Sequence, residues 1–231
     1  MSCSCNSCSN KIAFCTSSIN LFKDLPMEVQ AHIVSNVTHF EANANQIIIR
    51  EGQKAEHMLI IREGKVKLNK FDSEGKEYIL DILISGDTIG EDSFMQKELF
   101  DYNVETLSHS KFCQISKKQI LDLVYENSQF AVSFVELLCK KLTTSNDKIN
   151  LLMSSSAYKR IVTFILERDQ RLNGKPISLT VDDIAASTNL RRETVSRKLR
   201  DLQKDNVIKR TGQKKLEIIN RKKLFDIFYE N

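Results

Sequence analysis

The chain has 231 residues, of which 41% are hydrophobic and 28% are charged, and this composition is typical of a folded protein rather than a disordered one. No apolar run approaches the roughly 18 residues that a membrane span needs, and the N-terminal residues lack the pattern of a secretory signal. These features predict a cytoplasmic protein with no membrane partner, whose cysteine thiols stay reduced.

The net charge of +4 is divided unevenly along the chain. Residues 154–231 carry 18 Lys and Arg against 10 Asp and Glu, whereas residues 1–153 carry 16 against 20. A basic part joined to an acidic part is typical of a nucleic-acid-binding module attached to a second function. A solvated basic surface without a partner is the alternative, and charge by itself does not exclude it.

Residues 1–20 are rich in Ser, Asn and Cys and show no periodicity, which predicts an arm rather than a packed element. A short helix is predicted over residues 25–38, with Pro26 near its first turn. The four cysteines of the arm, spaced C-x-C-x2-C-x6-C, are Cys3, Cys5, Cys8 and Cys15.

Residues 40–118 contain short apolar runs that recur between turn signals, a spacing that predicts an all-β sandwich or barrel. Five of the seven glycines of the chain fall in this segment, where turns require a positive φ angle. These predicted corner glycines are Gly52, Gly64, Gly75, Gly86 and Gly90.

Residues 119–153 are predicted to be helical and carry two apolar stripes. One stripe repeats in steps of four and three over about three heptads, which predicts a dimerisation seam. The second stripe, Phe130, Phe134 and Leu137, faces another direction and would pack on the β-domain. A single helix buried against its own chain is the alternative. The seam residues are Ala131, Val135, Leu138, Leu142, Ser145, Ile149 and Leu152, with Ser145 as the polar layer.

A serine run at 154–156 predicts a hinge before a further helix, and residues 179–202 then predict two short helices joined by a turn at Asn189. Two short strands, Val207–Arg210 and Leu216–Ile219, predict a hairpin, or wing, before a last helix.

The second helix of this pair has an apolar face and a polar face whose side chains can recognise bases in the DNA major groove. Arginine bonds guanine O6 and N7 together, and glutamate accepts from cytosine N4. An amphipathic helix with a solvated polar face is the alternative, but the helix spacing, the wing and the basic charge together favour DNA binding. Lys198 is expected to neutralise phosphates rather than to read bases. The candidate DNA contacts are Arg191, Arg192, Glu193, Ser196, Arg197, Lys198 and Arg200.

The glycine-cornered β-segment, the long helix and the string LRRETVSRKLRDLQKDNVI resemble the CRP/FNR superfamily of bacterial transcription regulators. The resemblance implies an α+β protein with an N-terminal double-stranded β-helix (jelly-roll, cyclic-nucleotide-binding-like) domain and a C-terminal winged helix-turn-helix. It also implies a homodimer on a palindromic operator, contact with RNA polymerase, and no enzymatic activity. The expected divisions are an arm at 1–20, the β-roll at 21–122, the dimerisation helix at 123–153 and the DNA-binding domain at 154–231.

The resemblance also implies individual roles in DNA recognition. Glu193 and Arg197 would read the G·C pairs of a TGA core, Arg192 an additional guanine, and Ser196 completes the E-x-x-S-R string of the FNR branch. A TGTGA-like half-site is therefore expected. Arg191 departs from the family pattern, which has a Ser or Thr helix cap there, and loss of such a cap costs about 1 kcal/mol.

In cAMP-binding relatives a Gly-Glu pair and a downstream Arg-Ser pair hold the ribose and phosphate. Gly90 and Glu91 are present here, but Asp101 and Tyr102 stand at the downstream positions. An anionic Asp repels a phosphate, so cAMP binding is not expected and Glu91 is interpreted as a structural corner residue.

The cysteines resemble those of the oxygen-sensing FNR branch, which implies that Cys5, Cys8, Cys15 and Cys113 hold a [4Fe–4S] cluster, with Cys3 as a substitute for Cys5. Loss of the cluster in oxygen would release the arm and loosen the seam. Zinc, a dithiol–disulfide switch, or a cofactor-free constitutive regulator with Cys113 as a core thiol remain open.

The remaining cysteine and the histidines predict no site. Cys139 is interpreted as a packing residue, and none of the four histidines has ligand spacing. A nucleotide-binding regulatory subunit of an enzyme is a rival function, which the DNA-reading helix argues against. The sequence contains no Ser-His-Asp, phosphate-loop or zinc-hydrolase pattern, so an enzyme is not expected.

Overall fold

The structure, a computed structural model, divides into two compact units. The first contains the chain up to Gly75 and Leu80–Leu142, and the second contains Lys76–Ile79 and the chain from Thr143 onward. The structure describes residues 19, 21–23, 25–91 and 98–229.

The N-terminal part of the chain forms two four-stranded sheets, in the strand orders β1-β8-β3-β6 and β2-β7-β4-β5. This arrangement confirms the predicted β-roll, because the two sheets can face each other across one core. The strands are β1 Thr38–Ala42, β2 Ile47–Ile49, β3 His57–Glu63, β4 Lys65–Phe71, β5 Glu77–Ile84, β6 Thr88–Ile89, β7 Asn103–Thr106 and β8 Ser110–Ser116.

Strand β8 separates two apolar clusters because successive side chains of a strand point to opposite faces. Phe112 belongs to the cluster of Ile61, Val66 and Val104, which draws on strands of both sheets. Its neighbour Cys113 belongs to a second cluster on the other face of the sheet.

The corner glycines adopt the positive φ angles that the sequence predicts. At Gly64, with φ of +102°, a Cβ atom would lie 2.6 Å from the carbonyl oxygen of His109. At Gly90, with φ of +94°, it would lie 2.9 Å from the carbonyl oxygen of His57. Any larger residue would therefore push the backbone apart at both corners.

The predicted long helix is two helices with a break at Asn127. The backbone of Asn127 is extended, and its side-chain oxygen accepts a hydrogen bond from the Phe130 amide at 2.9 Å, which caps the second helix. The helix predicted over 123–153 for dimerisation thus begins at Ser128. The helices of this part are α1 Met27–Ser35, α2 Lys117–Glu126 and α3 Ser128–Met153.

The second unit holds a small three-stranded sheet and four helices that follow α3. The order of the sheet is β10-β11-β9, so the wing has a third strand that the sequence did not predict, because two residues are too short to show a period. Its elements are α4 Ala157–Arg171, β9 Ile177–Ser178, α5 Val181–Thr188, α6 Arg192–Lys204, β10 Ile208–Thr211, β11 Lys215–Ile218 and α7 Arg221–Tyr229.

Among the described residues, no helix combines the length and the apolar character that crossing a membrane would require.

Candidate functional site

Helices α5 and α6 form the predicted helix pair, and local interactions set their ends. The Thr180 hydroxyl accepts from the Asp183 amide at 3.0 Å, and the Asp183 carboxylate accepts from the Thr180 amide at 2.8 Å, a complete capping box. Asn189 has the left-handed φ of 51° that turns the chain toward α6. Arg191 stands at the N-cap of α6 without a side-chain cap bond, as the sequence predicts.

The two faces of α6 are as predicted. Val195, Leu199 and Leu202 are fully buried on one side of the helix. Glu193 and Arg197 are exposed on the opposite side. An exposed row of this kind can reach base edges while the apolar row fixes the helix on its own domain. The exposed row continues with Arg200, beside a half-buried Ser196.

Arg192 forms an ion pair with Asp182 in the first turn of α5. Both side chains are more than 60% exposed, so water screens this pair strongly. Asp182 is absent from the sequence-based candidates, because its contact joins residues ten positions apart across the helix turn.

Lys198 lies off the exposed row of α6. Its ammonium is 5.3 Å from the centre of the Tyr158 ring and 3.5 Å from the Asp201 carboxylate. One residue corresponds to 100° of helix rotation, so the residue after Arg197 points well away from the direction of Arg197. The structure thus places this candidate against its own unit.

The wing adds cations near the helix pair. Lys209 and Lys214 are exposed on the hairpin formed by β10 and β11. Lys215 instead pairs with Glu217 at 2.7 Å, and this hydrogen bond, with the lysine charge, lowers the pKa of Glu217.

Cys113 is a buried thiol with a histidine beside it. Its Sγ atom lies 3.2 Å from Nδ1 of His39, which stands opposite it in the β1–β8 pairing. Burial, and then the charge of Arg62, lower the pKa of His39, so its imidazole is neutral at neutral pH. No spacing in the sequence predicts His39 at this place, and the pairing register of β1 with β8 is the signal that indicates it.

The cluster around Cys113 joins parts of the chain that are distant in sequence. Phe22, just after the arm, lies in it with its ring stacked 5.9 Å from that of Phe130 in α3. Phe130 in turn stacks on Phe134 at 6.0 Å. The end of the arm, the internal cysteine and the start of the long helix therefore share one apolar core.

The N-terminal ligand candidates Cys3, Cys5, Cys8 and Cys15 lie outside the described residues. Among the residues that the structure describes, no group of three or more His, Cys, Asp or Glu side chains could hold a metal ion. The predicted ligand set therefore stays a prediction.

The two predicted apolar stripes of α3 differ in their exposure to solvent. Phe130 and Phe134 are buried in the first unit, as predicted for the inner stripe. Val135 and Leu142, by contrast, are 57% and 63% exposed. Cys139 is exposed as well, so its interpretation as a packing residue is wrong. The other seam residues are exposed at Ser145 and Ile149 and half-buried at Ala131, Leu138 and Leu152.

Two carboxylates beside β6 and β7, those of Glu91 and Asp101, pair with lysines. The Asp101 carboxylate lies 3.4 Å from the Lys70 ammonium. Tyr102 is buried with its ring 5.7 Å from that of Phe100. Glu91 is buried and pairs with Lys141 of α3.

Two family descriptions match the chain over most of its length. The cyclic nucleotide-binding domain matches residues 39–127, and the Crp-like helix-turn-helix domain matches residues 159–227. The chain belongs to the CRP/FNR family of transcription regulators. Members of this family are transcription regulators rather than enzymes, and the helix-turn-helix is their DNA-binding part.

Individual CRP/FNR relatives match along nearly the whole chain. The transcriptional regulator flp of Lacticaseibacillus casei is 26% identical over 216 residues, which cover 92% of this chain and 97% of flp. The cAMP-activated global transcriptional regulator CRP of Salmonella typhimurium is 28% identical over 72% of this chain and 82% of its own length. The solved structure of FixK2 from Bradyrhizobium japonicum shares the fold, with a TM-score of 0.76 at 23% identity, over 84% of this chain and 98% of FixK2.

Proposed function

We propose that this CRP/FNR regulator responds to oxygen through a [4Fe–4S] cluster and binds a TGTGA-like palindrome as a homodimer. The observation that carries the proposal is the shared apolar core of the arm end, Cys113 and the first turns of α3. A change in the ligation of Cys113 would act on the same core that holds the dimerisation helix.

The chemistry of Cys113 fits a cluster ligand. Its sulfur is shielded from water, and a neighbouring imidazole nitrogen lies within hydrogen-bond distance, a contact that tunes metal–thiolate bonds. Ile19, four residues after Cys15, packs in the same cluster. Four residues of chain span at most about 14 Å, so the arm can bring Cys15 close to Cys113. Cys5, Cys8, Cys15 and Cys113 would hold the cluster, whose iron–thiolate bonds would tie the arm to the β-roll until oxygen breaks them.

The DNA part of the proposal rests on the exposed row of α6. Arg197 and Glu193 can satisfy guanine and cytosine edges in a TGA core, and Arg192 can add an outer guanine contact. Exposed Lys209 and Lys214 on the wing are suited to phosphates.

The dimer part rests on the outward apolar row of α3. Exposed Val135, Leu142 and Ile149 recur at heptad spacing, and their burial would favour a coiled-coil pairing. Ser145 is a polar layer in that seam, which lowers the stability of the dimer and makes it sensitive to the state of the arm.

Cyclic nucleotides are not the ligand in this proposal. The carboxylates of Glu91 and Asp101 already pair with lysines of the same unit, and Asp101 would repel a phosphate.

The test is purification of the full chain under nitrogen, followed by iron, sulfide and zinc analysis, a visible spectrum and DNA-binding titrations before and after air. We expect a brown protein with four iron and four sulfide per chain that bleaches in air and then loses operator affinity. Cys113→Ser should lose the colour, whereas Cys139→Ser, a change at the exposed cysteine, should keep it.

Other outcomes assign the rival functions. A colourless protein with one zinc per chain would indicate that the cysteines bind zinc and not an iron–sulfur cluster. Air-dependent loss of two thiols without metal would indicate a disulfide switch. Equal DNA affinity with and without air would indicate a constitutive regulator.

A further inference from the structure

We propose that His39 is a positioning residue for Cys113: its ring nitrogen Nδ1 holds the Cys113 sulfur in place and, in the cluster-bound protein, donates a hydrogen bond to that sulfur. The contact sets how firmly Cys113 holds iron. This inference rests on the proposed function for the presence of the cluster. The contact between the two side chains lies within the first unit and does not depend on the cluster.

The strand register brings the two side chains together. His39 of β1 stands directly opposite Cys113 of β8, and opposite residues of an antiparallel pair have Cβ atoms about 5 Å apart on one face of the sheet. The next pair, Phe40 and Phe112, faces the other way, with ring centres 4.9 Å apart. A slip of β1 by one residue would turn both of its side chains to the opposite face, so the aromatic stack also secures the contact of His39 with Cys113.

The His39 ring is held at two consecutive residues of β8. Its Nδ1 atom lies 3.2 Å from the Sγ atom of Cys113, within the range of a hydrogen bond to sulfur. The half-buried ring also forms a hydrogen bond with the backbone of Phe112. Two such contacts restrict the rotation of the side chain, so the imidazole is oriented beside the sulfur before any metal binds.

A metal-bound sulfur needs a hydrogen-bond donor at this nitrogen. A thiolate carries no hydrogen, so it can only accept a hydrogen bond. A neutral imidazole has its hydrogen on one of the two ring nitrogens, and the tautomer with the hydrogen on Nδ1 donates to the sulfur. In the metal-free protein the Cys113 thiol can itself donate to Nδ1 of His39. The same two atoms therefore stay in contact in both states, and the sulfur keeps one position.

The hydrogen bond strengthens the hold on iron in two ways. It fixes the Cys113 sulfur in advance, which lowers the cost of ordering this ligand. It also draws negative charge away from the thiolate, and hydrogen bonds to the ligand sulfurs help to set the reduction potential of iron–sulfur clusters. A donor stabilises the more negative, reduced cluster, so loss of the donor lowers the potential. Because Cys113 is the one proposed ligand outside the arm, His39 acts on the bond that ties the arm to the β-roll.

The experiment compares His39→Leu, His39→Asn and His109→Leu in the full chain under nitrogen. Leucine keeps an apolar side chain but has no donor, whereas asparagine places an amide nitrogen as many bonds from Cα as Nδ1 is. His109→Leu is the matched control, because it removes a half-exposed imidazole that lies 3.6 Å from the Glu41 carboxylate, four residues before Cys113. Visible absorbance follows the loss of iron to a chelator, and a dye-mediated dithionite titration gives the reduction potential.

We expect His39→Leu to lose iron about tenfold faster than the wild type and to have a lower reduction potential, because a hydrogen-bond partner of a metal ligand is lost. His39→Asn and His109→Leu should stay close to the wild type on both measures. A role in packing alone would give the reverse order for the two changes at His39, since leucine preserves apolar contacts better than asparagine does. Equal behaviour of His39→Leu and His109→Leu, or a larger effect of His39→Asn than of His39→Leu, would overturn the proposal.

Nitrogen-15 NMR of the histidine rings in the metal-free chain tests the contact without a cluster. Cys113→Ala should shift the ring nitrogens of His39 and leave those of His109 unchanged. A wild-type chain that binds no iron would refute the cluster in the proposed function. The NMR measurement would still decide the inference: a shift at His39 supports its hold on the sulfur, and unchanged His39 resonances refute it.

Discussion

The exposed row of α6, which we propose reads DNA, and the surroundings of Cys113 are built in opposite ways. The row on α6 lies within one 13-residue helix, is exposed, and stands on a fully buried apolar row. Cys113 is buried, and the residues that surround it come from the arm end, β1, β3 and three helices. An exposed binding surface can be formed by residues at helical spacing within one helix. A buried site that links several elements needs residues that are distant in sequence.

The largest expected effect is a loss of stability on changing a residue in the buried cluster around Cys113. Phe130→Ala removes a fully buried ring that stacks on Phe22 and Phe134, and such truncations cost about 3–5 kcal/mol of the free energy of unfolding. Urea unfolding of the full chain measures the loss. Val132→Ala, at a side chain 60% exposed on the same helix, should cost under about 0.5 kcal/mol. Similar losses for both variants would contradict the core assignment.

The next prediction addresses the exposed side. Arg197→Ala should weaken binding to a TGTGA palindrome by about 1–3 kcal/mol and relax the preference for guanine at its position, because a bidentate base contact is lost. Fluorescence anisotropy with operators altered one base pair at a time measures both quantities. Lys198→Ala, off the reading row, should keep the preference unchanged. If it altered the preference as Arg197→Ala does, the assigned face of α6 would be wrong.

The N-caps of α5 and α6 differ, and we expect changes at the two caps to have smaller effects on stability, of opposite sign. Thr180→Ala removes the capping box of α5 and should lower the stability of the second unit by about 1 kcal/mol. Arg191→Ser adds a cap to α6, which has none, and should raise that stability by a similar amount. Thermal unfolding followed by circular dichroism checks both signs. A loss of stability in Arg191→Ser would show that the arginine makes a contact worth more than a cap.

The smallest expected effect concerns the Arg192–Asp182 pair. Asp182→Asn should change stability by under about 1 kcal/mol, because both partners are exposed. It should change the guanine preference at the outer base that Arg192 is proposed to read, since the guanidinium loses its neighbour. Asp226→Asn, an equal charge change on α7, is the control and should leave that preference intact. Matching preferences for both variants would show that Asp182 does not orient Arg192.

The sequence by itself determined the elements whose residues repeat at a fixed spacing. The apolar and polar faces of α6, the inner stripe of α3 and the glycine corners follow from periods of 3.6 residues or from positive φ, and the structure has them where predicted. These patterns are local, so neighbouring residues are enough to predict them.

Only the tertiary structure decided which distant residues meet. His39 lies beside Cys113 because β1 pairs with β8, and Lys141 meets Glu91 because the rings of α3 pack on the sheet. Asn127 divides the predicted helix by capping α3, and β9 joins the wing through two residues. Such contacts depend on strand register and helix rotation, which the whole packed chain sets and no short segment encodes.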